Sequence, residues 1–156
     1  MDVDMVSDLK AAHVRPLVRM LEPSYCIDEN MILDAIKRRS SFNIIHLDTM
    51  LKIDIFLAKR TPYDIETFKR RRKDTLDEEQ NATEFYIVSP EDIILNKLAW
   101  FRLGGGVSER HWNDVLGVFK VQKNSLDTNY LKQWASELKI EDLLEKAFQD
   151  SGINEG

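Results

Sequence analysis

Three aspartates are the residues of this chain best suited to chemistry: Asp2, Asp4 and Asp54. Asp2 and Asp4 stand one residue apart in the alternating stretch Asp2-Val3-Asp4-Met5. As a strand, this stretch puts both carboxylates on one face, roughly 7 Å apart along the chain, and Val3 and Met5 on the other. Asp54 lies in the mainly apolar run Lys52-Ile53-Asp54-Ile55-Phe56. There Ile53 and Ile55 point one way, and Lys52, Asp54 and Phe56 the other. Aspartate is disfavoured in strands, so Asp54 needs a local reason to be there. Hard divalent cations such as Mg²⁺ take oxygen ligands, and a pair of them clamps a phosphoryl group. Three carboxylates on strands would hold such ions and orient an attacking hydroxyl. A plainer reading stands beside this one: Asp-x-Asp is a common tripeptide, often simply exposed.

The elements that must position these acids follow from the hydrophobic pattern. Asp2–Val6 reads as a short strand. Ser7 or Asp8 is placed to cap a helix running to about Leu21, with Pro16 inside it forcing a kink or a late start. Asp28 caps a second helix over Glu29–Arg38. Ser41–Leu47 and Leu51–Ala58 read as a β-hairpin around Asp48-Thr49-Met50. Pro62–Arg72 reads as helical. Leu76–Asp77 and Glu84–Val88 are expected as two further strands joined by a polar loop. Ser89-Pro90-Glu91-Asp92 is a helix start with Ser as N-cap, Pro at the first position and an acid three residues after the cap. That helix is expected to stop at Gly104-Gly105-Gly106, whose glycines suit a helix end and turn. Helices over Ser108–Val121, Asp127–Leu138 and Ile140–Ser151 complete the chain. The fold class is therefore α+β: a small mixed sheet flanked by helices, with a C-terminal helical part. The expected division is 1–88 for the α/β core and 89–156 for the helical part.

Several other residues have two readings. Lys69-Arg70-Arg71-Arg72-Lys73 is either a solvated helix end, where cations are favoured, or a phosphate or RNA contact. Lys97 falls inside the apolar arc of its helix, so it either snorkels or reaches a phosphate or site carboxylate. Arg110 and Asp114, spaced i to i+4 opposite the apolar face of Trp112, Val115, Leu116 and Phe119, suit a surface ion pair. Trp100, Trp112 and Trp134 suit helix packing better than base stacking.

Composition sets outer bounds. Of 156 residues, 43% are hydrophobic and 31% charged, enough apolar material for a core without cross-links. The net charge of −5 argues against broad, sequence-independent nucleic-acid binding. The single cysteine, Cys26, has no partner for an internal disulfide. No apolar run approaches the ~20 residues of a membrane span, so no membrane partner and a cytoplasmic location are expected.

Three stretches together carry a resemblance: Asp2-Val3-Asp4-Met5-Val6, Lys52-Ile53-Asp54-Ile55-Phe56 and Ser89-Pro90-Glu91-Asp92-Ile93-Ile94-Leu95-Asn96-Lys97-Leu98. With Ser108-Glu109-Arg110-His111-Trp112-Asn113-Asp114-Val115 and the segment from Leu126 to Trp134, the chain resembles small bacterial and archaeal nucleotidyltransferase-like proteins. These belong to the DNA polymerase β-like superfamily, near the abortive-infection toxin nucleotidyltransferases. The resemblance implies a nucleotidyltransferase fold, with Asp2 and Asp4 as the paired metal-binding acids and Asp54 as the third, catalytic acid. It implies Mg²⁺ as cofactor and a nucleoside triphosphate as substrate, whose monophosphate passes to a protein, a tRNA end or a small molecule. Lys97 matches a recurrent lysine, expected to contact phosphate, and Asp114 a recurrent acid. Family members also carry a Gly-Ser turn shortly before the paired acids, where this sequence has only Met1. That departure keeps a second expectation open: a catalytically inactive nucleotide- or protein-binding module of a toxin–antitoxin or defence system.

Overall fold

The computed structural model describes residues 2–75, 84–122 and 125–152, with the backbone alone at Asp2. Among them it has seven helices and six strands, an α+β arrangement with one four-stranded mixed sheet and one two-stranded sheet. The chain divides by packing into two compact units, Met1–Asp64 and Ile65–Gly156. This division falls earlier than the 88/89 boundary read from the sequence. No helix of the described residues is long and apolar enough to cross a membrane.

The first unit holds strands β1 (Asp2–Ser7), β2 (Tyr25–Cys26), β3 (Ser41–His46) and β4 (Lys52–Leu57), with helices α1 (Ala11–Leu21) and α2 (Glu29–Arg38). The sheet order is β1-β4-β3-β2; β1 runs parallel to β4, while β3 is antiparallel to both β4 and β2. Alternation decides the faces. Phe42, Ile44, Ile55 and Leu57 form one buried face and pack with Val14 of α1 and Ile32 and Ala35 of α2. The intervening residues Asn43 and Asp54 face the other way and are only half-buried. α2 begins as expected, with Asp28 accepting a 2.7 Å bond from the Met31 N–H.

α1 departs from expectation. Its N-cap is Lys10, not Ser7 or Asp8, and Pro16 lies within the helix. Asp8 is drawn elsewhere. Its carboxylate accepts two 3.0 Å bonds from Arg60 and one of 3.4 Å from Arg39, and Arg39 also donates to the Ala58 carbonyl at 3.1 Å. Arg60 beside it, aided by Arg39, holds the Asp8 carboxyl below its usual range. This clamp ties the ends of β1 and β4 to the end of α2, and it outcompetes the local cap. β2 was not foreseen, because two residues carry too little pattern to read.

Helix α3 (Pro62–Arg70) spans the boundary between the units. Its first turn is closed by Asp64, which accepts from the Thr61 N–H at 2.8 Å and the Thr61 hydroxyl at 2.6 Å. The helix stops at Arg70, and Arg72–Thr75 forms β5, paired antiparallel with β6 (Glu84–Ile87). The strand expected at Leu76–Asp77 lies outside the described residues.

The second unit is built on α4 (Pro90–Leu103), α5 (Glu109–Gln122), α6 (Thr128–Leu138) and α7 (Glu141–Ser151). Ile94, Leu95, Leu98 and Phe101 put a buried stripe on α4 at helical spacing, against Val115 and Phe119 of α5, Leu131 and Ala135 of α6, and Leu144, Ala147 and Phe148 of α7. Ser89 caps α4, accepting from the Asp92 N–H at 3.2 Å. α4 ends before the triple glycine, where Gly105 and Gly106 take φ of +79° and +74°, a region side chains disfavour. Trp112 packs against Phe101 and Trp134 against Tyr130, as the packing reading of the tryptophans expects.

One buried polar cluster joins three of these helices. Asp92 is fully buried and accepts from Tyr130 Oη at 2.7 Å, Thr67 Oγ1 at 3.2 Å and Ser89 Oγ at 2.8 Å. The Arg70 guanidinium lies 3.8 Å above the Tyr130 ring. Its Nε is 3.8 Å from Asp92, near enough for charge but too far for a hydrogen bond, and that nitrogen is buried without a partner among the described residues. Glu91 accepts from Arg70 at 3.2 Å and from the Asp127 N–H at 2.9 Å, so it fastens the start of α6.

Glu91 makes this cluster sensitive to acid. Burial alone would raise its pKa, but the Asp127 and Glu91 backbone N–H groups, Ser89 and Arg70 together hold it below the ordinary 4.5. A carboxyl lowered by folding contributes stability that is present above its unfolded pKa and lost as pH falls through the folded one. Melting temperature is therefore expected to drop as pH falls below about 4.5, and Glu91→Gln to flatten that slope. Thermal melts across pH would show it; parallel slopes for the two proteins would contradict the assignment.

Candidate metal centre

β1 and β4 bring two of the three acids together. In their parallel register Asp4 is the partner of Asp54, and Asp2 the partner of Lys52. Paired residues on adjacent strands project to the same face from backbones roughly 4.8 Å apart. On the far side of β4, Asn43 of β3 is also in register with Asp54. The result is a row across three strands, Asp4–Asp54–Asn43, on the face opposite the core. Ile53 and Ile55 fix β4 by sitting on the core side, so the position of Asp54 is set by burial of its neighbours. Asp4 is exposed, and the Asp54 side chain is 24% exposed.

The local reason for an aspartate in this strand is Lys52. Its Nζ lies 2.9 Å from each oxygen of the Asp54 carboxylate. Residues i and i+2 of a strand share a face, so the lysine reaches its partner along its own strand. A cation therefore already sits on the carboxylate that the sequence singles out. The signal was in the sequence, where Lys52 and Asp54 share a face, but a lysine beside a metal-type acid carries no pattern that assigns it a role. Asn43 was likewise unforeseen, because its place in the row depends on the β3–β4 register.

The donor chemistry of this row fits a hard divalent ion. Asp4 and Asp54 supply carboxylate oxygens on one face, and Asn43 brings an amide to the same row. Among the described residues, no three acidic, histidine or cysteine side chains form a group that could hold a metal. Of the three candidate acids, the register sets Asp4 and Asp54 on paired positions.

Lys97 belongs to the second unit. It lies on the apolar side of α4, 16% exposed, and donates to Asp114 of α5 at 3.0 Å. Asp114, spaced i to i+4 from Arg110 on its own helix, accepts across to α4 from Lys97, a more deeply buried charge that gains from a partner. The pair lies along a groove of about 560 Å³ between α4 and α5, lined also by Ile93, Gly117, Val118 and Val121. The basic run 69–73 is largely committed: Lys69 bonds Glu66, Arg70 bonds Glu91, Arg71 stacks on Tyr86, and Lys73 bonds Glu84. Comparison with protein-family models, with curated proteins and with solved structures finds no match for the chain.

Proposed function

We propose that this chain is a Mg²⁺-dependent nucleotidyltransferase that passes a nucleoside monophosphate from a nucleoside triphosphate to the hydroxyl of an acceptor. The observation that carries the reading is the register of Asp4 with Asp54, which puts two aspartates at paired positions on the sheet face opposite the core. By resemblance to the family, Asp2 and Asp4 would hold the metal as the paired acids, with Asp54 as the third. Magnesium, when bound, neutralises charge on the transferring phosphoryl group and aligns its attacking and leaving oxygens. Asp54, anchored by Ile53 and Ile55, would orient the acceptor hydroxyl. Lys97, bonded to Asp114, would contact a phosphate by resemblance to the family. Such transfer depends mainly on positioning and charge, so removal of one anchored carboxylate is costly.

The test is incubation with labelled nucleoside triphosphates and Mg²⁺, comparing the chain with Asp54→Ala. Label transfer is expected to fall by about 10²-fold or more in the variant. Equal labelling by both proteins would sink the assignment. The Lys52–Asp54 pair favours a second reading, in which Asp54 is permanently neutralised and the chain is a nucleotide- or protein-binding module of a toxin–antitoxin or defence pair. Calorimetry with Mg²⁺ and nucleotides separates the two: that module binds without turnover.

A further inference from the structure

We propose that the outward face of α5, centred on Gly117, is a docking surface for a second copy of this chain, joined to it as an antiparallel two-fold pair. The inference is independent of the aspartate row. It gives the groove beside Lys97 to a protein surface, with which a phosphate at Lys97 would compete.

Gly117 stands in the middle of α5, and at ~100° per residue it points roughly opposite to Val115 and Phe119, the buried residues of that helix. A glycine there weakens the helix relative to alanine. Nothing inside the molecule asks for it. Its φ is not positive, and a Cβ placed on it meets no atom within 4 Å. What glycine supplies at this point is a bare backbone that another chain approaches closely.

The same face holds a groove and a ridge. The groove, of about 560 Å³, has Ile93 and Lys97 on its α4 wall and Asn113, Gly117 and Val118 on its α5 wall. The ridge is Val121, one turn beyond Gly117 and 80% exposed. A surface that carries both is self-complementary under a two-fold axis. In an antiparallel crossing at Gly117, Val121 of each copy lies level with Asn113 of the other and enters that groove.

Charge favours a second copy over an unrelated partner. Asp114 and Lys120 flank Gly117, three residues before and three after, turned ~60° to either side of it. The antiparallel two-fold brings each Asp114 level with the Lys120 of the other copy, across a seam that a lysine stem spans, and symmetry repeats the match. Lys120 is exposed and the Asp114 side chain is 43% exposed. Lys97 donates to the Asp114 Oδ2, and a carboxylate accepts from more than one donor. A parallel pair would set lysine level with lysine and aspartate with aspartate, and would align the helix dipoles unfavourably.

The experiment is sedimentation velocity of the full chain over a wide range of protein concentration. A reversible dimer is expected. Gly117→Leu blocks the close approach and is expected to weaken the dimer by at least about tenfold. Its melting temperature in dilute solution should not fall, because leucine is a good helix former and the space is open. Val121→Asp should weaken the dimer likewise. Lys120→Glu sets acid level with acid and should weaken it, whereas Lys37→Glu makes the same change of net charge on α2 and should not. A chain that is monomeric at every concentration would overturn the proposal. So would a dimer that both Gly117→Leu and Val121→Asp leave unchanged. Neither result bears on nucleotidyl transfer, which label transfer reads separately.

Discussion

Asp92→Ala is expected to destabilise the protein by about 3–5 kcal/mol, the range for breaking a buried charged pair from one side. The carboxylate is fully buried and serves three hydroxyl donors, Tyr130, Thr67 and Ser89, with the Arg70 guanidinium nearby. Alanine removes the acceptor and leaves the donors in place. Each orphaned group then carries its own desolvation penalty, on the order of 1–3 kcal/mol, relieved only where the site can open to water. Burial and the bond and charge of Asp92 push the Tyr130 hydroxyl pKa well above its ordinary value, so it remains a donor across the working pH range. Arg70 loses one anionic neighbour and keeps the nearer one, Glu91. Asp92→Asn keeps an acceptor oxygen but surrenders the charge, and is expected to cost less, about 1–3 kcal/mol. Denaturant unfolding of both variants checks the ranking. A loss within about 0.5 kcal/mol for Asp92→Ala, typical of a surface site, would mean the cluster is not what holds α3, α4 and α6 together.

Phe119→Ala is expected to cost about 3–5 kcal/mol as well, for a different reason. Phe119 is fully buried at the centre of the helical unit and meets Phe148 of α7 edge-on, with ring centroids 4.9 Å apart. Truncation removes the transfer energy of the ring, leaves a cavity and forfeits the aromatic pair. The cavity would lie among α5 and the helices packed on it, α4 and α7, so collapse around it is only partial. Phe119→Leu refills much of the space and should cost clearly less. For a chain of this size the alanine change should lower the melting temperature on the order of 10 °C. Calorimetry would measure it, and an unchanged transition would place the ring outside the load of the core.

The two costs arise from sequence features of unequal visibility. The apolar stripe of α5 was readable, because Val115 and Phe119 recur at helical spacing. The Ser-Pro-Glu-Asp start of α4 was equally plain. What the start signal conceals is that Asp92, besides its bond with Ser89, turns inward to groups 25 and 38 residues away. Long-range polar partners leave no periodic trace. The same limit hid the clamp of Asp8 by Arg60, which crosses 52 residues and overrode a good local capping position. The strands bearing Asp4 and Asp54 were legible from alternation. Their register was not, since a slip of one residue would satisfy the composition and reverse every face. Core burial of Ile53 and Ile55 makes that choice. Lys52 could be placed on the face of Asp54 from spacing alone, yet only the structure brings its ammonium onto both oxygens.

The parallel pairing of β1 with β4 carries a consequence for the order of events during folding. Every other strand contact of the four-stranded sheet joins neighbours in sequence, while Asp4 and Asp54 meet across about fifty intervening residues. Closing a loop of that length carries an entropic cost on the order of 3–4 kcal/mol before a contact rewards it. Contacts of such sequence separation form late and slow the overall rate. The β3–β4 hairpin with α2 is then the natural nucleus, and β1 docks onto a sheet edge that already exists. Two carboxylates become neighbours only at that last step, so electrostatic repulsion between them is never borne by the early, marginal states of the chain.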